Sequence, residues 1–250
     1  MNLSIIIPVF NEINFLQKIL GNLFRYTTKI KKEIIIVDDC SNDGTKEWLE
    51  TLLNKKINYI NLKKNKLMFK RNKSLSNLKI ILKKKNEGKG SAVKLGLKYC
   101  KNDIIVIQDA DLEYNPKDLN VMINKIKRTN VDIVFGNRFF YKNNNYHYFL
   151  YYLGNFFLSL CISILFRKRI LDVAACYKMF KKKLIKNIDL QSNGFMFDFE
   201  FPAKILKRKK INIVNVPISY QGRTFSEGKK ISWKDGFKAL FLIFKIKLFY

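Results

Sequence analysis

Ile104-Ile105-Val106-Ile107-Gln108-Asp109-Ala110-Asp111-Leu112-Glu113 passes from four consecutive β-branched residues into three closely spaced carboxylates. A short, wholly apolar, β-branched run reads as a strand buried on both faces, the pattern of a parallel sheet covered by helices. Carboxylates gathered where such a strand ends repel one another unless a positive group stands between them. A divalent cation carrying a nucleotide diphosphate is the obvious candidate.

The same pattern extends outward. Further β-branched runs at 3–7, 33–37, 78–82 and 131–135 alternate with helical periodicities near 15–24, 45–53, 91–99 and 117–127. The alternation predicts an α/β fold with a mostly parallel sheet whose ligands lie beyond the carboxyl ends of its strands. A Lys- and Asn-rich stretch at 55–77, with Lys63, Lys64, Lys66, Lys70, Arg71 and Lys73, interrupts the rhythm and reads as an exposed loop insertion.

The 250 residues are enough for one sizeable core. Forty-eight Lys plus Arg against 20 Asp plus Glu give a net charge of +28, which suits an anionic partner. The abundance of Lys, Asn, Ile and Phe is also what AT-rich codons produce, so charge alone does not choose between nucleic acid, membrane surface and phosphorylated substrate. The acidic strand ends argue against a polyanion as ligand. Cys40, Cys100, Cys161 and Cys176 form no Cys-x-x-Cys pair, and His147 is the single histidine, as expected of free thiols in a reducing compartment. The first residues lack the basic flank of a signal peptide, so the active face is expected to be cytoplasmic.

Residues 143–166 contain no Asp, Glu, Lys or Arg and are followed by Arg167, Lys168 and Arg169. The length qualifies as a membrane span. A single crossing, however, would put Asp109 and Asp111 on the opposite side from the polar segment 194–230. An interfacial or re-entrant helix, with Tyr148, Tyr151 and Tyr152 near headgroups, keeps them together; a helix buried in the core is the alternative. The stretch 232–250 reads as an amphipathic helix with Trp233, Phe237, Leu240 and Phe244 on one stripe and Lys234, Lys238 and Lys245 beside it, suited to a membrane surface or to packing on the domain.

Each strand end carries a polar signature. Pro8-Val9-Phe10-Asn11-Glu12 follows the first, and Asp38-Asp39-Cys40-Ser41-Asn42-Asp43-Gly44-Thr45 the second. Asp43 and Thr45 are good helix-start residues, which leaves Asp38, Asp39, Asp109 and Asp111 unexplained by capping. Asn86-Glu87-Gly88-Lys89-Gly90-Ser91-Ala92 opens a helix, where glycines would let amides approach an anion and Lys89 would add a cation.

In order, Pro8 to Glu12, Val37 to Thr45, Asn86 to Ala92, Gln108 to Pro116, Gly136-Asn137-Arg138-Phe139, and Val216 to Tyr220 with Gly222-Arg223-Thr224 and Glu227-Gly228-Lys229-Lys230 resemble the family 2 glycosyltransferases of the dolichol-phosphate mannose synthase type. The resemblance implies a GT-A fold, a nucleotide-diphosphate sugar donor such as GDP-mannose or UDP-glucose, Mg or Mn, and a polyprenyl phosphate acceptor. Carried over by motif, Pro8, Phe10, Glu12, Val37 and Asp39 would hold base and ribose, with Lys89 and Ala110 beside the nucleotide sugar. Asp109, Asp111 and Glu113 would serve the metal and diphosphate, and Arg138, Arg223 and Lys229 would meet phosphates. Phe10 stands where the family often has tyrosine, and Ala174 and Ala175 where it has an acidic residue before Cys-Tyr-Lys.

Breaking a sugar–diphosphate bond builds negative charge on the leaving group, which a divalent cation, Arg and Lys stabilise. A phosphate acceptor is already anionic and needs no strong base; a saccharide or lipid hydroxyl would need one. Asp198 or Glu200 is the candidate base, and Glu200 is equally well read as orienting a loop or pairing with a lysine. The expected organisation is a catalytic domain over 1–230 with an interfacial helical segment near 143–170, and an amphipathic helix over 231–250. It is expected to sit peripherally on the cytoplasmic face of a membrane, with a separate membrane protein as a further potential partner and no nucleic acid.

Overall fold

The computed structural model describes the chain except residues 28, 55–59, 64–65, 70–76, 129, 142–143, 145–148, 224–232 and 250. At its centre is a seven-stranded sheet made of β1 (Leu3–Val9), β2 (Lys32–Asp38), β5 (Leu78–Leu82), β6 (Ile104–Ile107), β7 (Ile133–Asn137), β8 (Lys178–Lys181) and β9 (Ile213–Pro217), in the order β5-β2-β1-β6-β8-β7-β9. All neighbours are parallel except β8, which runs antiparallel to both β6 and β7. The register aligns Ile5 with Ile34 on one side and with Val106 on the other, so β-branched side chains stack in rows across the sheet. Every residue of β1 and of β6 is buried, as expected of strands covered on both faces.

Helices α1 (Ile13–Tyr26), α2 (Thr45–Asn54), α3 (Lys89–Tyr99) and α4 (Leu119–Ile126) connect the strands. Helix α3 lies so close to β1 that a Cβ on Gly96 would stand 2.6 Å from Ile6 Cγ2. Strand order reverses beside β1, since the chain goes to β2 on one side and returns as β6 on the other. A crevice therefore opens beyond the carboxyl ends of β1 and β6, between Phe10 and Asp109.

Three sheet features differ from the sequence expectation. Strand β8 combines Met179 and Phe180 with Lys178 and Lys181 and carries no apolar run of its own, and β9 is interrupted by Asn215. Part of the basic insertion pairs as a two-stranded antiparallel sheet, β3 (Ile60–Lys63) with β4 (Lys66–Phe69), where a loop was expected.

Helix α5 (Phe149–Phe166) is the uncharged segment, and by length and composition it could cross a membrane. Asn155, Leu158, Ser159, Ile162 and Phe166 are buried, while Leu150, Phe156, Phe157 and Ile164 are exposed, so it is not a core helix. It packs with α7 (Trp233–Phe249), and both contact α6 (Phe197–Leu206). Ala239, Ile243 and Ile246 form the buried face of α7. Phe237 and Phe244 of the apolar stripe, expected to face a membrane surface or the domain, are exposed together with Phe241 and Leu248.

Candidate functional site

A cavity of about 780 Å³ occupies the crevice and continues to α5 and the start of α7. Pro8, Phe10, Glu12, Asp39, Lys89, Asp109, Ala110, Asp111, Glu113, Arg138, Asp198 and Arg223 all line it, which brings together most of the residues singled out in the sequence. Leu150, Tyr151, Gly154 and Leu158 of α5 and Gly236 of α7 form its far, more apolar side. Lys229 lies outside the described residues.

The loops after β1 and β2 are stitched together. Asn11, with φ 58°, donates its N–H to Ser41 Oγ, Glu12 N–H donates to Thr45 Oγ1, and Ile13 N–H to Asp43. Asp43 and Thr45 are therefore structural, as their helix-start chemistry suggests. Asp38 turns away from the cavity and accepts from Ser41 N–H. Asp39 accepts from Lys83 Nζ and from the N–H groups of Glu87 and Gly88, so its carboxylate already organises the loop before α3. Val37 is fully buried in the sheet and does not line the cavity, a correction to its expected place beside the base.

Two cation-centred clusters divide the acidic residues. In the first, Arg223 reaches Asp111 at 3.0 Å, Glu12 at 3.3 Å and Glu113 at 3.8 Å. In the second, Lys89 Nζ lies 2.9 Å from both Asp109 and Asp198, and Lys178, completely buried, lies 3.3 Å from the other oxygen of Asp198. Asp109 and Asp111 thus face different cations. Among the described residues no three Asp, Glu, His or Cys side chains converge to hold a metal ion, so the trio Asp109, Asp111 and Glu113 is not preassembled.

Charge is nevertheless unbalanced at Asp111. Burial, reinforced by the neighbouring Asp109 and Glu113, pushes its carboxyl up to about 8 despite Arg223. Burial alone would also raise Asp198, but Lys89 and Lys178 outweigh it and hold that carboxyl below its ordinary value. Lys89 is likewise held charged by Asp109 and Asp198 against its own burial.

The glycines flanking Lys89 serve packing. A Cβ on Gly88 would come 2.7 Å from Asn193 O, and one on Gly90 would come 2.4 Å from Ser192 O, so α3 begins hard against the 192–194 backbone. Glu200 holds the other side of that segment. It accepts from Gln191 and Ser192 N–H and pairs with Lys204 at 2.7 Å. Glu200 is thus the loop-orienting residue of the two readings open for it, and it does not line the cavity.

Arg138 is clamped by Asp172 through Nε and Nη2, both at 2.8 Å, and its guanidinium lies 4.9 Å from the Tyr220 ring centroid. Lys178, Asp172, Asn155 and Tyr220 complete the site, although the sequence motifs do not single them out as site residues.

The glycosyl transferase family 2 profile matches residues 4–77 and 67–189. The chain is 26% identical over 232 residues to the dolichol-phosphate mannosyltransferase of Pyrococcus furiosus, covering 92% of this chain and 59% of that protein. It is 25% identical over 249 residues to the dolichyl-phosphate beta-glucosyltransferase of Dictyostelium discoideum, covering 92% and 68%. Among solved structures, glucosyl-3-phosphoglycerate synthase from Mycobacterium tuberculosis in complex with UDP superimposes with a TM-score of 0.69 at 12% identity, over 98% of this chain and 80% of that one. The shared architecture is the GT-A fold.

Proposed function

Because the chain belongs to glycosyl transferase family 2, we propose that this glycosyltransferase is inverting and moves a hexose from a GDP- or UDP-sugar to a polyprenyl phosphate at a membrane surface. The observation that carries the reading is the continuity of the cavity. One end is ringed by Glu12, Asp109, Asp111 and Arg223, and the other is walled by α5, whose outer face is apolar. A sugar diphosphate suits the first end and a lipid the second. The two relatives named for dolichol phosphates support the same acceptor class.

The donor's base and ribose would lie against Pro8, Phe10, Glu12 and the Asp39 loop, with Ala110 and Lys89 beside the sugar diphosphate. Burial of Asp111 beside Asp109 and Glu113, which pushes its carboxyl up to about 8, fits a Mg or Mn ion held by Asp109 and Asp111 with Glu113 nearby, and M. tuberculosis glucosyl-3-phosphoglycerate synthase has been solved in complex with UDP and Mn2+ or Mg2+. Such an ion would neutralise the departing diphosphate. Arg223 would turn from its carboxylates to the diphosphate and, with Lys229, stabilise the same charge. Arg138 would hold the acceptor phosphate, one of whose oxygens attacks the anomeric carbon as the diphosphate leaves from the opposite side.

Asp198 supports the phosphate acceptor over a hydroxyl. Two lysines occupy its oxygens and hold its proton affinity down, which suits a counter-ion and disfavours a general base. Attraction of the +28 chain to anionic headgroups would favour a peripheral position on the membrane. The reading is tested by incubating the protein with Mn2+ or Mg2+, radiolabelled GDP- and UDP-sugars, and detergent micelles with or without a polyprenyl phosphate. Label must enter the organic phase only when the lipid phosphate is present; transfer to a lipid alcohol alone would overturn it.

A further inference from the structure

Arg138 is held from behind by a short chain of buried polar groups that begins on the apolar helix. Asn155, 9% exposed on the inner face of α5, donates from Nδ2 to Asp172 Oδ1 at 2.7 Å and accepts the Ala174 N–H at 3.2 Å. Asp172, fully buried, accepts from Arg138 Nε and Nη2 and also from the Arg138 backbone N–H at 2.9 Å. Among the described residues Arg138 Nη1 makes no hydrogen bond, and Arg138 lines the cavity. The clamp fixes the plane of the guanidinium and leaves one edge for a ligand.

Asp172 also has a structural duty, since a buried arginine without its carboxylate is an unpaired charge. Asn155 does not share that burden. Its removal would leave the Arg138–Asp172 pair intact while releasing Asp172 Oδ1 and the Ala174 N–H from α5.

The geometry points to Asn155 and Asp172 as positioning residues that aim Arg138 at the acceptor phosphate, so that α5 sets the acceptor subsite from within. This rests on the proposed role of Arg138 in holding that phosphate. A fork fixed by two parallel hydrogen bonds presents its remaining N–H groups in one direction, and a lysine cannot reproduce that. The donor end touches neither Asn155 nor Asp172, because Asp109, Asp111 and Glu12 are organised by Lys89 and Arg223. The two substrates should therefore respond differently.

The test compares wild type, Asn155→Ala, Asp172→Asn and Arg138→Lys as full-length protein, with thermal melts to verify folding. Affinity for a short-chain polyprenyl phosphate is read by calorimetry without donor, and KM for donor and acceptor by steady-state transfer with Mn2+. Asn155→Ala should weaken acceptor binding and raise acceptor KM about tenfold, the size of a lost hydrogen bond to a charged group, with donor KM unchanged. Arg138→Lys should do the same or more. If Asp172→Asn does not fold, Asn155→Ala alone decides. An acceptor effect in Arg138→Lys without one in Asn155→Ala overturns the positioning role while leaving the proposed function standing. Equal losses for donor and acceptor in Asn155→Ala would reduce it to a structural residue and overturn the inference. No binding of the lipid phosphate by wild type, or no effect of Arg138→Lys, overturns the reading beneath it.

Discussion

Asp111→Asn should stabilise the protein near neutral pH while abolishing transfer. The carboxyl is pushed to about 8, first by burial and then by Asp109 and Glu113, with Arg223 giving partial relief. A raised carboxyl means that the folded chain keeps a proton which the unfolded chain releases above its ordinary value of 3.8. Stability therefore falls as pH rises between those two values. At pH 7 the loss has an upper limit of about 4 kcal/mol, roughly three pH units at 1.36 kcal/mol each. Sharing of charge with Asp109 and Glu113, together with local water, reduces this to roughly 1–3 kcal/mol. An asparagine of the same shape never acquires the charge, and for a domain of this size the gain corresponds to roughly 2–10 °C in Tm. Melts in EDTA at pH 5 and pH 8 give the assay. The Tm difference between variant and wild type should be several degrees at pH 8 and roughly a third of that at pH 5. A variant less stable than wild type at pH 8, or a pH-independent difference, would refute the reasoning.

Arg223 stands among Glu12, Asp111 and Glu113, so it competes with any divalent ion for those oxygens. Arg223→Ala should bind Mn2+ alone about tenfold more tightly in a calorimetric or EPR titration, while transfer drops at least a hundredfold, the scale of losing one transition-state charge contact; unchanged or weaker Mn2+ binding would contradict the competition. Lys178→Met leaves Asp198 buried with one lysine fewer and should cost about 3 kcal/mol in chemical denaturation, and Asp198→Asn should recover much of it in the double variant. Additive losses would show that the two side chains are not coupled.

The fold was readable where one local signal sufficed. The runs 3–7, 33–37, 78–82 and 104–107 are rich in Ile, Val and Leu, most purely at 104–107 where both sheet faces are covered, and each lies within an observed strand. Strand β8 escaped because its identity comes from its neighbours. Lys178 is tolerated in the middle of a sheet only because Asp198 arrives from α6, a pairing across the fold that no window of sequence contains. Of the polar strand ends, Pro8 to Phe10, Glu12, Asp39 and Asp109 to Asp111 with Glu113 line one cavity, while Asp38 turns from it to the Ser41 N–H. What the pattern could not convey was which cation each carboxylate meets. Gly88 and Gly90 illustrate the same limit. Their spacing suggests an anion cradle, whereas their packing answers to the backbone at 192–193, a hundred residues away. Glu200, two residues from Asp198, is equally plausible as a base in sequence, yet one helical step turns it from the cavity to the amides of Gln191 and Ser192.

The central claim is that the acceptor is a phosphate, and the chemical lability of the product measures it most directly. A sugar joined to a lipid through phosphate is cleaved by mild acid, whereas a sugar joined to a hydroxyl is not. Product extracted after incubation with a labelled nucleotide sugar and a polyprenyl phosphate should release its label in mild acid, and Asp111→Asn should form none. Organic-phase label that survives the same treatment would contradict the account.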